Sequence, residues 1–282
     1  MKNIVLYSDE NFFDLSINTI ESFRRVGKDF RFYYFQIGFE KPFFIYDMDI
    51  VTISIMDIPE VHSMLLIKPF VIEYAMTLVD DFIYVDVDLI ASKHFDYYRL
   101  VNRITDTPFG CQLHDTEWQH PVFWFVENEI REEYDEKNLM DYLGVQKRTQ
   151  PWVTTLMLAV NKNCKEFVSK WKKLCLDEYL MNSPNSGYRY KKFLHMGDET
   201  AYNVLLWKDN KQNYFDKHLI VEPKEIETIY QIENKLIEDF QLESNNPITY
   251  VKNSEDVFVF HQLKNLDFRI ETLKKLYNAQ HN

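Results

Sequence analysis

Runs of apolar residues alternate with amphipathic segments over the first hundred residues of the chain. Residues 3–7 form a short apolar run rich in strand formers, and residues 14–25 carry apolar side chains at helical spacing. Similar patterns predict strands over 30–38, 49–55 and 81–85 and a helix over 68–78. Strands that alternate with helices in this way are typical of an α/β domain, Rossmann-like, with a mostly parallel central sheet flanked by helices.

The second half of the chain has a less regular pattern. An apolar run predicts a strand over 154–160, and helical spacing predicts helices over 163–179 and 198–207. A last short strand is predicted over 257–260, directly before His261, and a terminal helix over 270–277. We therefore expect one domain built from two halves, residues 1–105 and residues 106–282.

Composition and charge narrow the class of ligand. The chain has 282 residues, of which 46% are hydrophobic and 27% charged, as in ordinary globular proteins. Its net charge of −12 argues against nucleic acid as a partner, because phosphates are neutralised by clusters of Lys and Arg. A nucleotide is still compatible, since a divalent cation can bridge protein carboxylates to phosphates. No glycine-rich phosphate loop is present in the sequence.

Cysteine spacing and apolar run lengths bear on the compartment. Cys111, Cys164 and Cys175 are far apart, which favours reduced thiols in a cytoplasmic protein over a disulfide framework or a zinc site. The apolar run at residues 4–7 is too short for a signal peptide. No run approaches the roughly 18 residues of a membrane helix, so we expect no transmembrane segment. Peripheral contact with a membrane and the oligomeric state are left open.

Two aspartates follow the strand predicted over 81–85. In open α/β sheets, ligands bind at the carboxyl ends of the strands, and Asp86 and Asp88 lie at such an end. Residues two apart in an extended chain point the same way, which predicts two carboxylates on one side. Such a pair suits Mn²⁺ or Mg²⁺, and the cation would in turn hold a diphosphate. The ordinary alternative is that a strand-ending Asp caps the next turn or helix.

The run Phe82-Ile83-Tyr84-Val85-Asp86-Val87-Asp88 resembles the DxD motif of nucleotide-sugar-dependent glycosyltransferases with the GT-A fold. The chain is most similar to the glycogenin and lipopolysaccharide galactosyltransferase group. The similar patches are residues 5–9, 68–88, 151–158, 197–203 and 259–261. The resemblance implies a hexosyltransferase that moves a sugar from a nucleoside diphosphate sugar to a hydroxyl of a glycan, lipid or protein acceptor. The metal would be Mn²⁺ or Mg²⁺.

The same resemblance implies roles for individual residues. Residues 1–105 would bind the nucleotide sugar, and residues 106–282 would bind the acceptor. The metal ligands would be Asp86, Asp88 and His261. Contacts to the donor would come from Tyr7, Ser8, Asp9, Lys68, Val87 and Lys264. Asp198 and Glu199 would act in catalysis, as an acceptor-binding group or a general base. Apart from the resemblance, aromatic and polar side chains together suit sugar rings, so the acceptor pocket would be lined by Gln112, His114, Asp115 and Trp118.

Ordinary structural roles are available for most of these residues. Asp198 and Glu199 would complement the amino end of a helix. Lys68 would lie at a solvated helix end, and His261 would be a structural residue at a strand end. Residues 7–9 would form a turn after the first strand, and residues 112–118 would pack as a loop.

The sequence departs from the group's pattern in two places. Lys264 and Asp267 stand where the group usually has Gly and Lys after its histidine. Val153-Thr154-Thr155 replaces the Asn-Ser-Gly of the acceptor strand.

Two rival functions use the same residues differently. A haloacid-dehalogenase-type phosphatase also carries DxD after a strand, but near the start of the chain, whereas here three strands are predicted before it. A non-catalytic sugar-binding protein would keep the fold and lose the chemistry.

Overall fold

The structure is a computed structural model that describes residues 1–42, 49–56, 64–91, 95–112, 139–176 and 197–211. Three further short strands, at 214–215, 220–221 and 259–261, are described by their backbone alone. The helix predicted over 270–277 lies outside these residues.

The elements of the first half follow the predicted alternation. They are β1 (Lys2–Ser8), α1 (Phe13–Val26), β2 (Phe30–Ile37), β3 (Ile50–Ile55), α2 (Lys68–Ala75), β4 (Asp81–Val85), β5 (Leu89–Ala91) and α3 (Tyr97–Val101). Helix α2 ends three residues before the predicted boundary at 78. Its last turn tightens there, because the amides of Thr77 and Leu78 donate to Tyr74 O and Ala75 O, three residues back.

Besides a short helical segment at residues 139–143, the second half adds the remaining strands and two longer helices. They are β6 (Phe109–Gln112), β7 (Val153–Asn161), α4 (Lys165–Cys175), α5 (Gly197–Lys208), β8 (Tyr214–Phe215), β9 (Ile220–Val221) and β10 (Val259–His261). The apolar run predicted as a strand over 154–160 is therefore one residue longer at each end in the structure.

The central sheet has seven strands in the order β3-β2-β1-β4-β7-β6-β8. Strand β7 runs antiparallel to its neighbours β4 and β6, and the other pairings in this sheet are parallel. The prediction of a mostly parallel sheet is confirmed. A smaller sheet, in the order β5-β10-β9, follows β4 along the chain through β5.

Alternating side chains of the central strands pack into two apolar clusters. One contains Val5, Phe82 and Tyr84 and is covered by residues of α2, α4 and α5. The other contains Leu6 and Ile83 and is covered by residues of α1 and α3. The prediction of a sheet flanked by helices is thereby confirmed. Each fully buried large apolar side chain contributes about 1.5–3 kcal/mol, so these clusters are the main stabilisation of the domain.

The order of the strands reverses between β1 and β4. Strand β1 pairs on one side with β2 and on the other with β4, where Val5 lies beside Tyr84. A crevice at the carboxyl ends of the strands is expected at such a switch point, and ligands of open α/β sheets bind there. The residues that follow β1 and β4 flank it.

Candidate functional site

A tight turn follows β4 and carries both aspartates of the DxD motif. The strand ends at Val85, the amide of Asp86 donates to Leu156 O at 2.9 Å, and the amide of Leu89 donates back to Asp86 O at 3.2 Å. The extended geometry assumed from the sequence for these residues is therefore wrong, because the strand stops before Asp86. The turn still keeps the two acids near each other, because only Val87 separates them, and the Asp88 charge adds to the rise in the pKa of Asp86. We refer to residues 86–89 as the carboxylate turn.

Lys68 lies at the centre of a buried cluster of charges. Its Nζ is 3.2 Å from each carboxylate oxygen of Asp86 and 3.0 Å from Asp198 Oδ2. It also donates to Thr155, with the hydroxyl at 3.1 Å and the carbonyl oxygen at 3.2 Å. The side chain is only 6% exposed, so the alternative of a solvated helix end is wrong. These partners account for the three hydrogens of the ammonium group.

The Asp86 carboxylate is held from two directions. Lys68 approaches it from α2, and the Tyr84 hydroxyl donates to Asp86 Oδ1 from β4. Burial raises the pKa of the Asp86 carboxyl to about 7, with Lys68 opposing that rise and Asp88 adding to it. The side chain of Asp86 nevertheless keeps 22% of its surface exposed. It is therefore an acid that ionises reluctantly, within reach of solvent and of a cation.

Glu199, in the first turn of α5, is bound to strand β7. Its Oε1 accepts from Trp152 Nε1 at 2.6 Å. Its Oε2 accepts from the Thr155 amide at 2.8 Å and from the hydroxyls of Thr154 and Thr155 at 3.1 and 3.3 Å. Burial raises the pKa of this carboxyl. Both oxygens of Glu199 thus serve to hold α5 on β7.

Asp198 is held by Lys68 and by two neighbouring elements. Besides Lys68, its Oδ2 accepts from the Thr155 hydroxyl at 3.2 Å, and its backbone carbonyl accepts from Trp171 Nε1 of α4 at 2.7 Å. Its side chain is 8% exposed. The positions of Asp198 and Glu199 are consequently fixed by contacts with other elements, in addition to any effect of the helix dipole.

Thr155 was missed by the sequence reasoning as a site residue. Its hydroxyl touches Lys68, Asp198 and Glu199, and it is 1% exposed. The available signal was the replacement of Asn-Ser-Gly by Val153-Thr154-Thr155, which places two hydroxyls at the start of an otherwise apolar strand. Asn203 of α5 was missed too, and its amide bonds both the N–H and the carbonyl of Val153 at 2.8 Å.

The residues predicted to contact the donor base separate at the end of β1. Tyr7 faces the charged cluster, with its ring 6.0 Å from that of Tyr84. Ser8 faces the opposite side, where its hydroxyl bonds the Tyr34 hydroxyl at 2.5 Å. Asp9 caps the turn at Glu10–Phe12 by accepting from the Phe12 amide at 3.1 Å. The structure therefore brings Tyr7, but not Ser8, next to Lys68 and Asp86.

The backbone of His261 lies beside the carboxylate turn. Strand β10 pairs antiparallel with β5, and the register places His261 opposite Leu89, the residue after Asp88. The side chain of His261 is not among those described, nor is that of Gln112, which ends β6. Lys264 and the loop residues His114, Asp115 and Trp118 lie outside the described residues.

The donor set at the turn fits a hard divalent cation. Asp86 and Asp88 offer carboxylate oxygens, the ligand type that Mg²⁺ and Mn²⁺ prefer. The Asp88 charge raises the pKa of Asp86, so a cation placed between the two carboxylates would relieve repulsion. Within the described side chains, no group of three or more His, Cys, Asp or Glu is arranged to hold a metal ion. The turn accordingly supplies part of a site.

Over the residues that are described, none of the helices is both long enough and apolar enough to cross a membrane.

Comparison with solved structures identifies the fold. The galactosyltransferase LgtC, solved with donor and acceptor sugar analogs, is similar at a TM-score of 0.55 and 14% identity, over 98% of this chain and 95% of that one. GlyE, a glycosyltransferase of Streptococcus pneumoniae, is similar at 0.54 and 12%, over 98% of this chain and 60% of that one. The bifunctional glycosyltransferase WbbM gives 0.57 and 10%, over 100% and 52%.

Sequence comparison adds no relative to these. No protein-family model matches the sequence, and no curated protein matches it. The structural likeness confirms that the chain has the GT-A-type fold of these glycosyltransferases, as the resemblance to the galactosyltransferase group predicted. At these identities it establishes the fold alone.

Proposed function

We propose that this protein is a metal-dependent glycosyltransferase that moves a hexose from a nucleoside diphosphate sugar to a hydroxyl acceptor. The observation that supports it most is the position of Asp86 and Asp88. They lie on a tight turn at the switch point between β1 and β4, in a fold shared with LgtC. That crevice is where a nucleotide would bind in an open α/β sheet.

The proposed ligands of the cation are Asp86, Asp88 and His261. The backbone register that brings His261 beside Leu89 favours the histidine as the third ligand. When bound, Mn²⁺ or Mg²⁺ would stabilise the negative charge of the departing diphosphate. Tyr84 and Lys68 hold the Asp86 carboxylate in place, and 22% of the side chain stays exposed to a cation.

Lys68 has a different part in this proposal from the one suggested by the sequence. Its hydrogens already go to Asp86, Asp198 and Thr155, so contact with a phosphate would require the release of one partner. We assign it the task of balancing two buried carboxylates, one on the donor side and one on the acceptor side. A fixed positive charge of this kind costs no reorganisation at the moment of reaction.

Asp198 and Glu199 divide the acceptor side between them. We propose that Asp198 orients the acceptor hydroxyl or takes its proton, because it is the acid of the pair joined to the Lys68 cluster. Glu199 holds the first turn of α5 in place, since its two oxygens accept hydrogen bonds from Trp152 and from the Thr155 amide of β7. It is therefore a positioning residue.

The remaining roles complete the proposal. Tyr7, Asp9, Val87 and Lys264 contact the donor, whereas Ser8 packs on the other side of β1, and residues 1–105 form the donor half. Residues 106–282 form the half that receives a glycan, lipid or protein acceptor. The protein acts in the cytoplasm.

A thermal-shift panel of nucleotide sugars tests the proposal. A ligand that binds the folded state raises the melting temperature, by an amount set by its concentration relative to Kd. We expect at least one nucleoside diphosphate sugar to raise it with Mn²⁺ present, and EDTA to remove the effect. The same sugar should be hydrolysed or transferred in a product assay. Absence of any shift across the panel, or turnover of a generic phosphate ester instead, would overturn the proposal.

A further inference from the structure

Two hydroxyl groups of α1 reach the segment that contains the carboxylate turn. Thr19 Oγ1 donates to the carbonyl of Val87 at 2.7 Å, across 68 positions of sequence. Ser22 Oγ accepts from the amide of Ala91 at 3.0 Å and donates to Thr19 O at 2.6 Å. Thr19 and Ser22 are each 1% exposed. One helical turn therefore fixes both ends of residues 87–91.

The two anchored groups have particular places in the site. Val87 lies between Asp86 and Asp88, so its carbonyl orientation sets the relation between the two carboxylates. Ala91 ends β5, the strand whose backbone pairs with β10 and places His261 opposite Leu89. The bonds from Thr19 and Ser22 thus restrain the backbone next to each residue proposed as a ligand of the cation, which are Asp86, Asp88 and His261.

The turn is held from both faces of the central sheet. Lys68 and Tyr84 donate hydrogen bonds to the side chain of Asp86 on the face covered by α2. Thr19 donates a hydrogen bond to the backbone of Val87 from α1, which covers the other face. A loop carrying two acids that repel each other needs such restraint to keep them together when no cation is bound.

Ordinary helix packing accounts less well for Thr19. Buried serines and threonines in helices usually bond a carbonyl of their own helix, and Ser16 does so, donating to Phe13 O at 2.5 Å. Ser16 is as buried as Thr19 and lies one turn earlier on the same helix. Thr19 gives its hydrogen to the carboxylate turn instead.

We propose that Thr19, supported by Ser22, is a positioning residue that sets the conformation of the carboxylate turn and, through it, the affinity for the divalent cation. This inference rests on the proposed function, because it concerns the metal site named there. A hydroxyl acting in this way touches neither metal nor substrate, and its effect is transmitted by one carbonyl.

The test compares Thr19→Val, Thr19→Ser and the control Ser16→Ala. Valine keeps the shape of threonine and removes the hydroxyl, and serine returns it. Isothermal calorimetry of Mn²⁺ alone gives the affinities. Hydrogen exchange of the Leu89 amide, which closes the turn onto Asp86 O, measures how often the turn opens in the metal-free protein.

We expect Thr19→Val to weaken Mn²⁺ binding about five- to tenfold and to speed Leu89 exchange, as for one lost hydrogen bond. Thr19→Ser and Ser16→Ala should stay within about twofold of the wild type.

Each outcome has a distinct meaning. If the wild type binds Mn²⁺ and Thr19→Val binds it equally well with unchanged Leu89 exchange, the positioning role is overturned while the proposed function stands. If the wild type binds no Mn²⁺, the proposed function fails, and Leu89 exchange alone still decides whether Thr19 holds the turn. Should Thr19→Val not fold, Ser22→Ala takes its place, with a smaller change expected in both measurements. No change in Ser22→Ala would then overturn the inference.

Discussion

Two pairs of neighbouring acids lie at Lys68, which contacts one acid of each pair, and the two pairs differ in exposure and in hydrogen bonding. The pair after β4, Asp86 and Asp88, lies on a turn, and Asp86 keeps 22% of its side chain exposed. In the pair that opens α5, Asp198 is 8% exposed and Glu199 gives both carboxylate oxygens to donors of β7. From the sequence, the first pair is a candidate for metal binding and the second for catalysis.

The difference shows that one pair of adjacent acids can stabilise the fold, while another is available to bind a metal ion. Glu199 accepts hydrogen bonds from Trp152, just before β7, and from Thr154 and Thr155 of β7, and so ties helix α5 to that strand. The carboxylate turn instead receives its support from elsewhere, through Lys68, Tyr84 and Thr19, and leaves carboxylate surface toward solvent. Lys68 joins the two regions by balancing one acid of each.

The largest expected effect is on stability, from removal of the shared cation. Lys68→Met would leave Asp86 and Asp198 buried without their counter-charge, and breaking a buried pair on one side costs about 3–5 kcal/mol. Urea unfolding monitored by circular dichroism measures the free energy. Lys170→Met is the matched control, since Lys170 is 46% exposed and its surface pair with Glu166 is worth about 0–1 kcal/mol. Equal small costs at both positions would contradict the buried cluster.

The next effect separates the two acid pairs directly. Glu199→Gln places an amide N–H₂ against donors of β7, and we expect a loss of about 2–3 kcal/mol in unfolding free energy. Asp88→Asn, by contrast, removes a charge that repels Asp86, and should cost less unfolding free energy than Glu199→Gln. If Glu199→Gln is as stable as the wild type and loses only turnover, Glu199 belongs with the chemistry and the comparison fails.

The smallest expected effect distinguishes the hydroxyl of Thr154 from that of Thr155, its neighbour in β7. Thr155→Val removes contacts to Lys68, Asp198 and Glu199, and should cost about 1.5–2 kcal/mol of stability. Thr154→Val removes a contact to Glu199 that does not reach Lys68 or Asp198, and should cost about 1 kcal/mol. The donor KM and kcat of Thr155→Val should change while those of Thr154→Val do not. Identical behaviour of the two variants would show that Thr155 does not connect the regions.

The sequence predicted the framework of the fold well, because periodicity is a local property. Strands and helices of the first half fall within a few residues of their predicted bounds, and the DxD motif lies at the expected end of β4. The exact path after β4 was not predictable. The strand was predicted to end at Val85, as it does, but the turn over residues 86–89 is held by contacts distant in sequence, from the Asp86 amide to Leu156 O and from Thr19 to Val87 O.

The charged cluster was only partly predictable, because it depends on contacts distant in sequence. Lys68 was identified as a candidate, but its burial follows from Asp198 and Thr155, which reach it only when β7 pairs with β4. Thr19 gave no signal at all, because a threonine on a helix is common and its partner, a backbone carbonyl, has no sequence signature. Positions that act through the backbone are the ones that sequence reasoning misses.

Isothermal calorimetry of Mn²⁺ binding to Asp88→Asn, with and without the nucleoside diphosphate of a sugar that binds in the thermal-shift panel, tests most directly whether the carboxylate turn is the metal and donor site. Asp29→Asn serves as control, because Asp29 is an exposed acid that pairs with Lys2 at the start of β1. The wild type and Asp29→Asn should bind Mn²⁺ and that nucleotide with matching affinity. Asp88→Asn should stay folded and lose at least about a hundredfold in metal affinity, roughly 2.7 kcal/mol. Binding of Mn²⁺ and the nucleotide to Asp88→Asn with the affinity of the wild type would show that the carboxylate turn is not the metal and donor site.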